Sequence, residues 1–250
     1  MRTLLEVASA ATEFETVKFR QGEKGAMQKI AKRLKYPLQK VGGSADKVFC
    51  LVQMTLEGIP FAELAAVETV NPASDVAAIW QQLPRFAHCL IDLAAVDKDA
   101  IKLRNALELC RSIYARAWDR TSTSLRQIGG IGEKSVKLLE AQNIFSLRDV
   151  VKADPRKLEL ALNRNPPYGN QLIAQADAFP RFSISIESLS ETAIESGIEV
   201  EVGITVALEN AESKPKLRDA TCSHRAVVLV MTNDGEWIVS TLLSAAEEGG

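Results

Sequence analysis

The spacing of hydrophobic and polar residues divides the chain into a longer helical part and a shorter strand-forming part. In the first part apolar residues recur every three or four positions, the period of an amphipathic helix. Helices are predicted over 3–11, 47–56, 71–93, 98–120 and 156–162, and from about residue 170. From residue 182 the period changes to two, which predicts β-strands at 182–186, 200–206, 227–231 and 237–243. Helices followed by antiparallel strands predict an α+β fold.

Helix-capping and turn-forming residues predict where several of these elements begin and end. Ser44 or Asp46 is suited to cap the helix at 47–56, and Gly58 is suited to end it. Asp154-Pro155 has the pattern of an N-cap followed by the first residue of a helix. The segment 232–236 predicts a turn between the last two strands.

The segment Leu125–Leu139 has the pattern of a helix-hairpin-helix, in which a glycine turn joins two short helices. The apolar residue between the two glycines is placed to fill the space between the helices. The second helix begins with backbone N–H groups that have no internal partner, and such a start favours an anion. In this motif the anion is usually a nucleic-acid phosphate, held without regard to sequence. The candidate contact residues are Gly130, Ile131, Gly132, Lys134 and Lys137.

Two alternatives bear on this segment. A nucleotide-binding P-loop needs a glycine directly before the lysine and a strand before the loop. Here Glu133 precedes Lys134 and the preceding pattern is helical, which argues against a P-loop. The other alternative, a hairpin that only packs inside the protein and contacts no nucleic acid, stays open.

The chain of 250 residues is long enough for two or three small domains. We predict a helical bundle over 1–120 and the helix-hairpin-helix with its following helices over 121–180. Residues 181–250 are predicted to form a partial antiparallel β-sandwich of the immunoglobulin or fibronectin III type. Only about sixty residues carry its strands, whereas a complete sandwich needs roughly a hundred, so we expect a truncated sandwich.

Charge is distributed unevenly along the chain. Residues 181–250 hold five basic and twelve acidic side chains, a net charge of −7, so residues 1–180 carry about +5 of the total of −2. This asymmetry is expected if only the first part meets phosphates. Six basic residues lie between Lys24 and Lys40. One face of the predicted helix 98–120, either solvated or in contact with phosphate, carries Arg104, Arg111, Arg116 and Arg120.

The sequence offers no pattern for a catalytic or metal site. Its four cysteines include no Cys-x-x-Cys pair, and His88 and His224 are far apart, which argues against zinc. Scattered cysteines of this kind are typical of reduced thiols in an intracellular protein. The chain contains no nucleophile elbow and no zinc-protease motif. It also has no apolar run long enough to cross a bilayer, and we expect no cofactor, no metal and no membrane partner.

The order of these parts resembles a known module, the Sec-63-like C-terminal module of Ski-two-like superfamily-two helicases. That module consists of a helical bundle, a helix-hairpin-helix and a fibronectin-like sandwich. Leu125–Leu139 match its hairpin, and Phe19–Lys24 resemble the segment before its bundle. Leu162–Gly169 are similar to a segment of the meiotic crossover DNA helicases, the Mer-three type. Asn143 departs from the pattern, because it stands where the hairpin family often has glycine.

In such helicases one helix of the bundle acts as a ratchet on the translocating strand. By position, the predicted helix over 75–93 is similar to that element. The resemblance then implies that Trp80 stacks on a base and that Arg85 contacts a phosphate. The alternative is that Trp80 is a core residue, as tryptophan usually is. Pro84 predicts a kink or an end within the helix.

The resemblance implies an accessory nucleic-acid-binding module of an ATP-dependent 3′–5′ DNA helicase of the meiotic crossover type, acting in the nucleus. Its expected ligand is single-stranded or branched DNA, gripped by the phosphate backbone. The P-loop and the DExH-type box of the motor domains are absent from this sequence, so ATP and Mg²⁺ are expected only through such domains. Motor domains or other proteins are expected partners of the β domain. The alternative is a protein-interaction scaffold of a helicase or translocon-type assembly without nucleic-acid contact.

Overall fold

A computed structural model describes residues 1–64, 72–194, 197–210, 225–231 and 237–244. Nine helices precede four strands in this described part, so the predicted α+β class is confirmed. The helices are α1 Arg2–Ser9, α2 Glu23–Ala31, α3 Ser44–Glu57, α4 Pro72–Val96, α5 Ala100–Ala115, α6 Glu133–Glu140, α7 Leu147–Lys152, α8 Pro155–Leu162 and α9 Tyr168–Asp177. Short 3-10 helices lie at Thr12–Phe14, Phe61–Glu63 and Ser122–Gln127. The strands are β1 Phe182–Ile194, β2 Gly197–Leu208, β3 Arg225–Met231 and β4 Trp237–Ser244.

The chain divides by packing into two compact units. The first comprises Met1–Ser146 and Ala226–Leu243, and the second is built on Leu147–Arg225. The three predicted domains are defined by motif rather than by packing, so their boundaries at residues 120 and 180 stay predictions.

Helix α3 is the centre of the first unit, because every residue from Lys47 to Leu56 is buried. Its C-terminal end is the predicted one, but the prediction for its start is wrong, because the helix begins at Ser44 with Gly43 as its N-cap and Asp46 lies within its first turn. The Asp46 carboxylate accepts the N–H of Gly42 at 2.6 Å, and Gly58 ends the helix in the left-handed conformation with φ +77°. The surrounding apolar core includes Leu5, Phe14, Met27, Ile79, Leu83, Leu109 and Trp118.

Four charged side chains form an ion cluster, which we define as Arg20, Glu23, Lys47 and Asp75. The Lys47 ammonium lies 2.7 Å from the Glu23 carboxylate and 2.8 Å from that of Asp75. It also donates to the carbonyl of Lys18 at 2.9 Å, while Arg20 reaches Asp75 at 2.9 Å. The side chains of Lys47 and Glu23 are 0% exposed. The ion cluster therefore joins α3 to α4 and to the segment that opens α2.

The predicted helix over 98–120 is wrong at its C-terminal end. Helix α5 ends at Ala115, because Arg116 takes a left-handed conformation with φ +51°. The chain then turns back, and the N–H of Trp118 donates to the carbonyl of Leu56 at 3.3 Å. Neither glycine nor proline marks this turn in the sequence, so the helical period alone predicts too long a helix.

The second unit contains a close approach between α8 and α9. Asp154 caps α8 by accepting the N–H of Arg156 at 2.7 Å, as the sequence predicts. The buried Glu159 carboxylate accepts the N–H of Gly169 at 3.0 Å. A Cβ atom on Gly169 would lie only 2.2 Å from the carbonyl oxygen of Pro155. The segment Leu162–Gly169 thus ends at Gly169, a position where only glycine fits.

Strands β1 and β2 form an antiparallel hairpin that is longer than predicted. Its register runs from Phe182 opposite Leu208 to Ile194 opposite Gly197, with a bulge between Ile186 and Ser188. Strands β3 and β4 form a second pair, as predicted; their connecting turn, 232–236, lies outside the described residues. The sandwich arrangement of the strands stays a prediction.

Candidate nucleic-acid interface

The five hairpin candidates lie in one turn and in the helix that follows it. A 3-10 helix, Ser122–Gln127, leads into the turn, and α6 leads out of it. Gly130 has φ +84°, a left-handed conformation that favours glycine. The N–H of Ile131 donates to the carbonyl of Ile128 at 3.2 Å, which closes the turn.

Ile131 occupies the position that the sequence pattern predicts for it. Its side chain is only 6% exposed. The other buried apolar residues of this segment are Leu125, Ile128, Val136 and Leu139. The hairpin therefore has its own small core, and its backbone amides are presented from a fixed scaffold.

Gly132 is the N-cap of α6, and its conformation does not require glycine. Its φ of −103° and ψ of −177° suit any residue, and a Cβ atom built on it meets no atom within 4 Å in the described part of the chain. No side chain caps the first turn of α6 there. The missing side chain therefore leaves open space in front of the unpaired N–H groups at the start of α6.

Both hairpin lysines are exposed, but their surroundings differ. The Lys137 ammonium lies 3.2 Å from the Glu133 carboxylate, one helical turn before it. Lys134 has no carboxylate partner within 4.0 Å among the residues that the structure describes. Lys134 is therefore the more available of the two for an anion at the start of α6.

Arg126 fixes the hairpin to the centre of the first unit, a role that sequence analysis missed. Its guanidinium donates to the carbonyl of Thr55 near the end of α3 at 3.0 Å. Burial lowers the pKa of Arg126, and the charge of Glu133 opposes that shift. A lone arginine in an apolar turn gives no sequence signal for this contact, because its acceptor lies 71 residues away.

The two candidates on α4 have different environments. Trp80 is 9% exposed, and its indole N–H donates to the carbonyl of Ile113 in α5 at 3.3 Å, which is the geometry of a core residue. The exposed Arg85 is paired with Glu13 at 2.8 Å. Pro84 does not end the helix, since α4 continues to Val96. Trp80 and Arg85 are five positions apart, so their side chains point about 140° away from each other around the helix.

The buried thiols are held in their unreactive form. Burial raises the pKa of Cys50 to about 12 and that of Cys110 to about 11, while Cys89 is exposed and Cys222 lies outside the described residues. Within the described ranges, no group of three or more histidine, cysteine or acidic side chains is placed to hold a metal ion. None of the helices in those ranges is long and apolar enough to span a membrane.

Curated proteins with similar sequences are much longer than this chain. HFM1 of Xenopus tropicalis, described as a probable ATP-dependent DNA helicase, is 26% identical over 242 residues, which is 94% of this chain and 17% of HFM1. The ATP-dependent DNA helicase MER3 of Saccharomyces cerevisiae is 26% identical over 174 residues, 65% of this chain and 15% of MER3.

A third relative is named as a helicase of a ribonucleoprotein. The U5 small nuclear ribonucleoprotein 200 kDa helicase of Drosophila melanogaster is 25% identical over 183 residues, 73% of this chain and 8% of that protein. The chain thus spans less than a fifth of each of these relatives. Residues 1–243 match the Sec63 Brl domain. The chain therefore belongs to the Sec63 Brl domain family.

Proposed function

We propose that this Sec63 Brl domain is the accessory nucleic-acid-binding module of an ATP-dependent DNA helicase of the meiotic crossover type, acting in the nucleus. The observation that carries the proposal is the open start of α6 at Gly132, with the unpaired charge of Lys134 beside it. The relatives HFM1 and MER3, both named as DNA helicases, support the same assignment.

The geometry supports a passive grip on the nucleic-acid backbone. A phosphate oxygen in front of Gly132 would accept hydrogen bonds from the first N–H groups of α6, with Lys134 adding a charge-assisted contact. Such contacts position a strand without reading its sequence. Because Arg126 fixes the hairpin to α3, the amides need no rearrangement to bind. ATP hydrolysis belongs to motor domains in this proposal, and residues 1–250 alone are expected to show no ATPase activity.

Gly132→Ala and Lys134→Glu are each expected to weaken binding of single-stranded and branched DNA by roughly tenfold or more. The alanine methyl group would block a phosphate from the N–H groups of α6, and the glutamate would replace an attractive charge with a repulsive one. Neither should unfold the protein. Alanine at an N-cap typically costs about 1 kcal/mol relative to glycine, and Lys134 is exposed. Fluorescence anisotropy with labelled DNA and RNA at two salt concentrations measures the effect, and thermal melting checks folding.

Gly43→Ala is the matched control for the glycine variant. Gly43 is the N-cap of α3 with φ −116° and ψ −169°, close to the values of Gly132, and it too has open space at the Cβ position. Lys157→Glu, on exposed α8 surface, controls for net charge. Equal DNA affinities of the hairpin variants and the controls would contradict the proposal, as would the absence of nucleic-acid binding at low salt.

The exposed face of the β1–β2 hairpin favours a second candidate function, a protein-interaction scaffold. Ile184 and Ile186 are 66% and 70% exposed, and Phe182 and Leu189 share their face. Such patches often mark interaction sites. Titration calorimetry against separately produced helicase motor domains tests this candidate, with Ile184→Glu/Ile186→Glu expected to abolish the binding heat. Unchanged heat with that variant would exclude the face as the contact.

A further inference from the structure

Helix α2 and the segment after it form one continuous basic surface. The segment 32–43 runs back along α2, because Leu38 donates its N–H to the carbonyl of Ala31 at 3.1 Å. Further back, the amide of Gln28 donates to the carbonyl of Gln39 at 3.1 Å. We define the α2 basic face by its six exposed cationic residues, Lys24, Lys29, Lys32, Arg33, Lys35 and Lys40.

Of the carboxylates near this face, one pairs with a cation of the face and the other two bind backbone or buried groups. Glu23 is buried against Lys47, the Glu57 carboxylate accepts the backbone N–H of Lys35 at 2.7 Å, and Glu63 pairs with Arg33. The sequence from Lys24 to Lys40 contains no acidic residue.

Three lysines of the face are left uncompensated. Lys29, Lys32 and Lys40 have no carboxylate within 4.0 Å among the described residues. Lys29 and Lys32 are three positions apart along α2 and its C-cap, which makes them neighbours on the helix surface. Lys40 comes from the returning segment, so the positive charge extends from the helix across to the adjacent chain.

The segment that carries part of the α2 basic face is anchored to α3 by hydrogen bonds. The N–H of Tyr36 donates to the buried side chain of Gln53 at 2.8 Å, and Gln53 donates back to the carbonyl of Tyr36 at 3.2 Å. The ammonium of Lys35 lies 4.2 Å from the centre of the Trp118 ring. The backbone of the segment that follows α2 is thus anchored to α3, so less backbone freedom is lost when its cations bind a ligand.

We propose that the α2 basic face is a second nucleic-acid contact, which binds the phosphate backbone of the same DNA that the hairpin holds. The proposal rests on the proposed function and extends its footprint from α6 to α2. A polyanionic backbone meets several cations at once and releases counterions from each phosphate it presents. Residues 181–250 of another copy, although acidic, offer scattered carboxylates rather than such a continuous repeat.

The test is the triple variant Lys29→Glu/Lys32→Glu/Lys40→Glu. With a fluorescein-labelled oligothymidylate, its dissociation constant should rise roughly tenfold or more at low salt. The slope of the logarithm of the association constant against the logarithm of the salt concentration should become less steep by about 2, since each lost single-strand phosphate contact contributes about 0.7. The matched control Arg148→Glu/Lys152→Glu/Lys157→Glu makes the same change in net charge on α7 and α8, and it should have a clearly smaller effect on both quantities.

The outcomes separate the two proposals. If the hairpin variants weaken binding but the α2 triple variant behaves like its control, this inference is overturned and the proposed function stands. If the α2 triple variant weakens binding and the hairpin variants do not, the face is supported and the hairpin assignment fails. A poly-glutamate peptide that binds more tightly than DNA, and only to the unmodified face, would overturn the inference in favour of an acidic protein partner.

Discussion

Lys47→Met is expected to lower the free energy of unfolding by about 3–5 kcal/mol, the usual cost of breaking a buried ion pair by removing one partner. The methionine side chain fills a similar volume but leaves the carboxylate of Glu23 fully buried without its ammonium at 2.7 Å. Asp75 loses one partner and keeps Arg20 at 2.9 Å. Urea unfolding followed by tryptophan fluorescence measures the change, because Trp80 and Trp118 belong to the same core.

The double variant Lys47→Met/Glu23→Gln separates lost attraction from uncompensated charge. Removing both charges should restore much of the stability lost in Lys47→Met, since a buried pair replaced as a whole often costs little. Glu6→Gln is the control, because Glu6 and Arg2 form an exposed pair at 2.8 Å and such pairs contribute little. A Lys47→Met protein as stable as the unmodified chain would show that the ion cluster is not a stabilising element.

Gly169→Ala is expected to destabilise the second unit by about 3 kcal/mol, near the upper end of the usual cost of overpacking. The new Cβ would meet the carbonyl oxygen of Pro155 at 2.2 Å and its carbonyl carbon at 2.7 Å. Both atoms are backbone, so the helices α8 and α9 must move apart and the Gly169 bond to Glu159 must lengthen. Hydrogen exchange of the amides in these two helices measures the effect, with faster exchange expected in the variant.

Gly25→Ala gives the matched comparison for this substitution. Gly25 lies inside α2, and a Cβ there meets no atom within 4 Å among the described residues. Alanine should stabilise that helix by roughly 0.5–1 kcal/mol through its higher helix propensity. Unchanged exchange in α8 and α9 of Gly169→Ala would mean that the two helices separate at little cost, contrary to the geometry.

The ends of helices were predictable where a side chain caps them or glycine ends them. Gly58 and Asp154 act as their residue types predict, because capping depends on neighbours in the sequence. The start of α3 lies three residues before the predicted one, with Gly43 as N-cap. The end of α5 was not predictable, since the left-handed Arg116 is selected by the burial of Trp118 against α3. Long-range packing overrides local propensity there.

Only the local part of the candidate nucleic-acid interface was predictable from the sequence. Gly130 and Ile131 follow from the local glycine pattern, whereas the contact of Arg126 with Thr55 depends on the tertiary fold. For Trp80, periodicity cannot distinguish a base-stacking residue from a core residue, and the bond to Ile113 supplies the missing information. Lys47 has the sequence signature of an exposed charge at a helix start, although its side chain is fully buried.

Helix α3 connects the ion cluster at one end with the hairpin at the other. Its 14 residues span about 21 Å at roughly 1.5 Å per residue. Lys47 binds Asp75 of α4 near the first turn, and Thr55 accepts Arg126 in the last. Because α3 is buried from Lys47 to Leu56, we expect an axial displacement imposed at α4 to be passed on to the hairpin. If the proposed function holds, movement of one bundle helix against a DNA strand would in this way also shift the first backbone amides of α6.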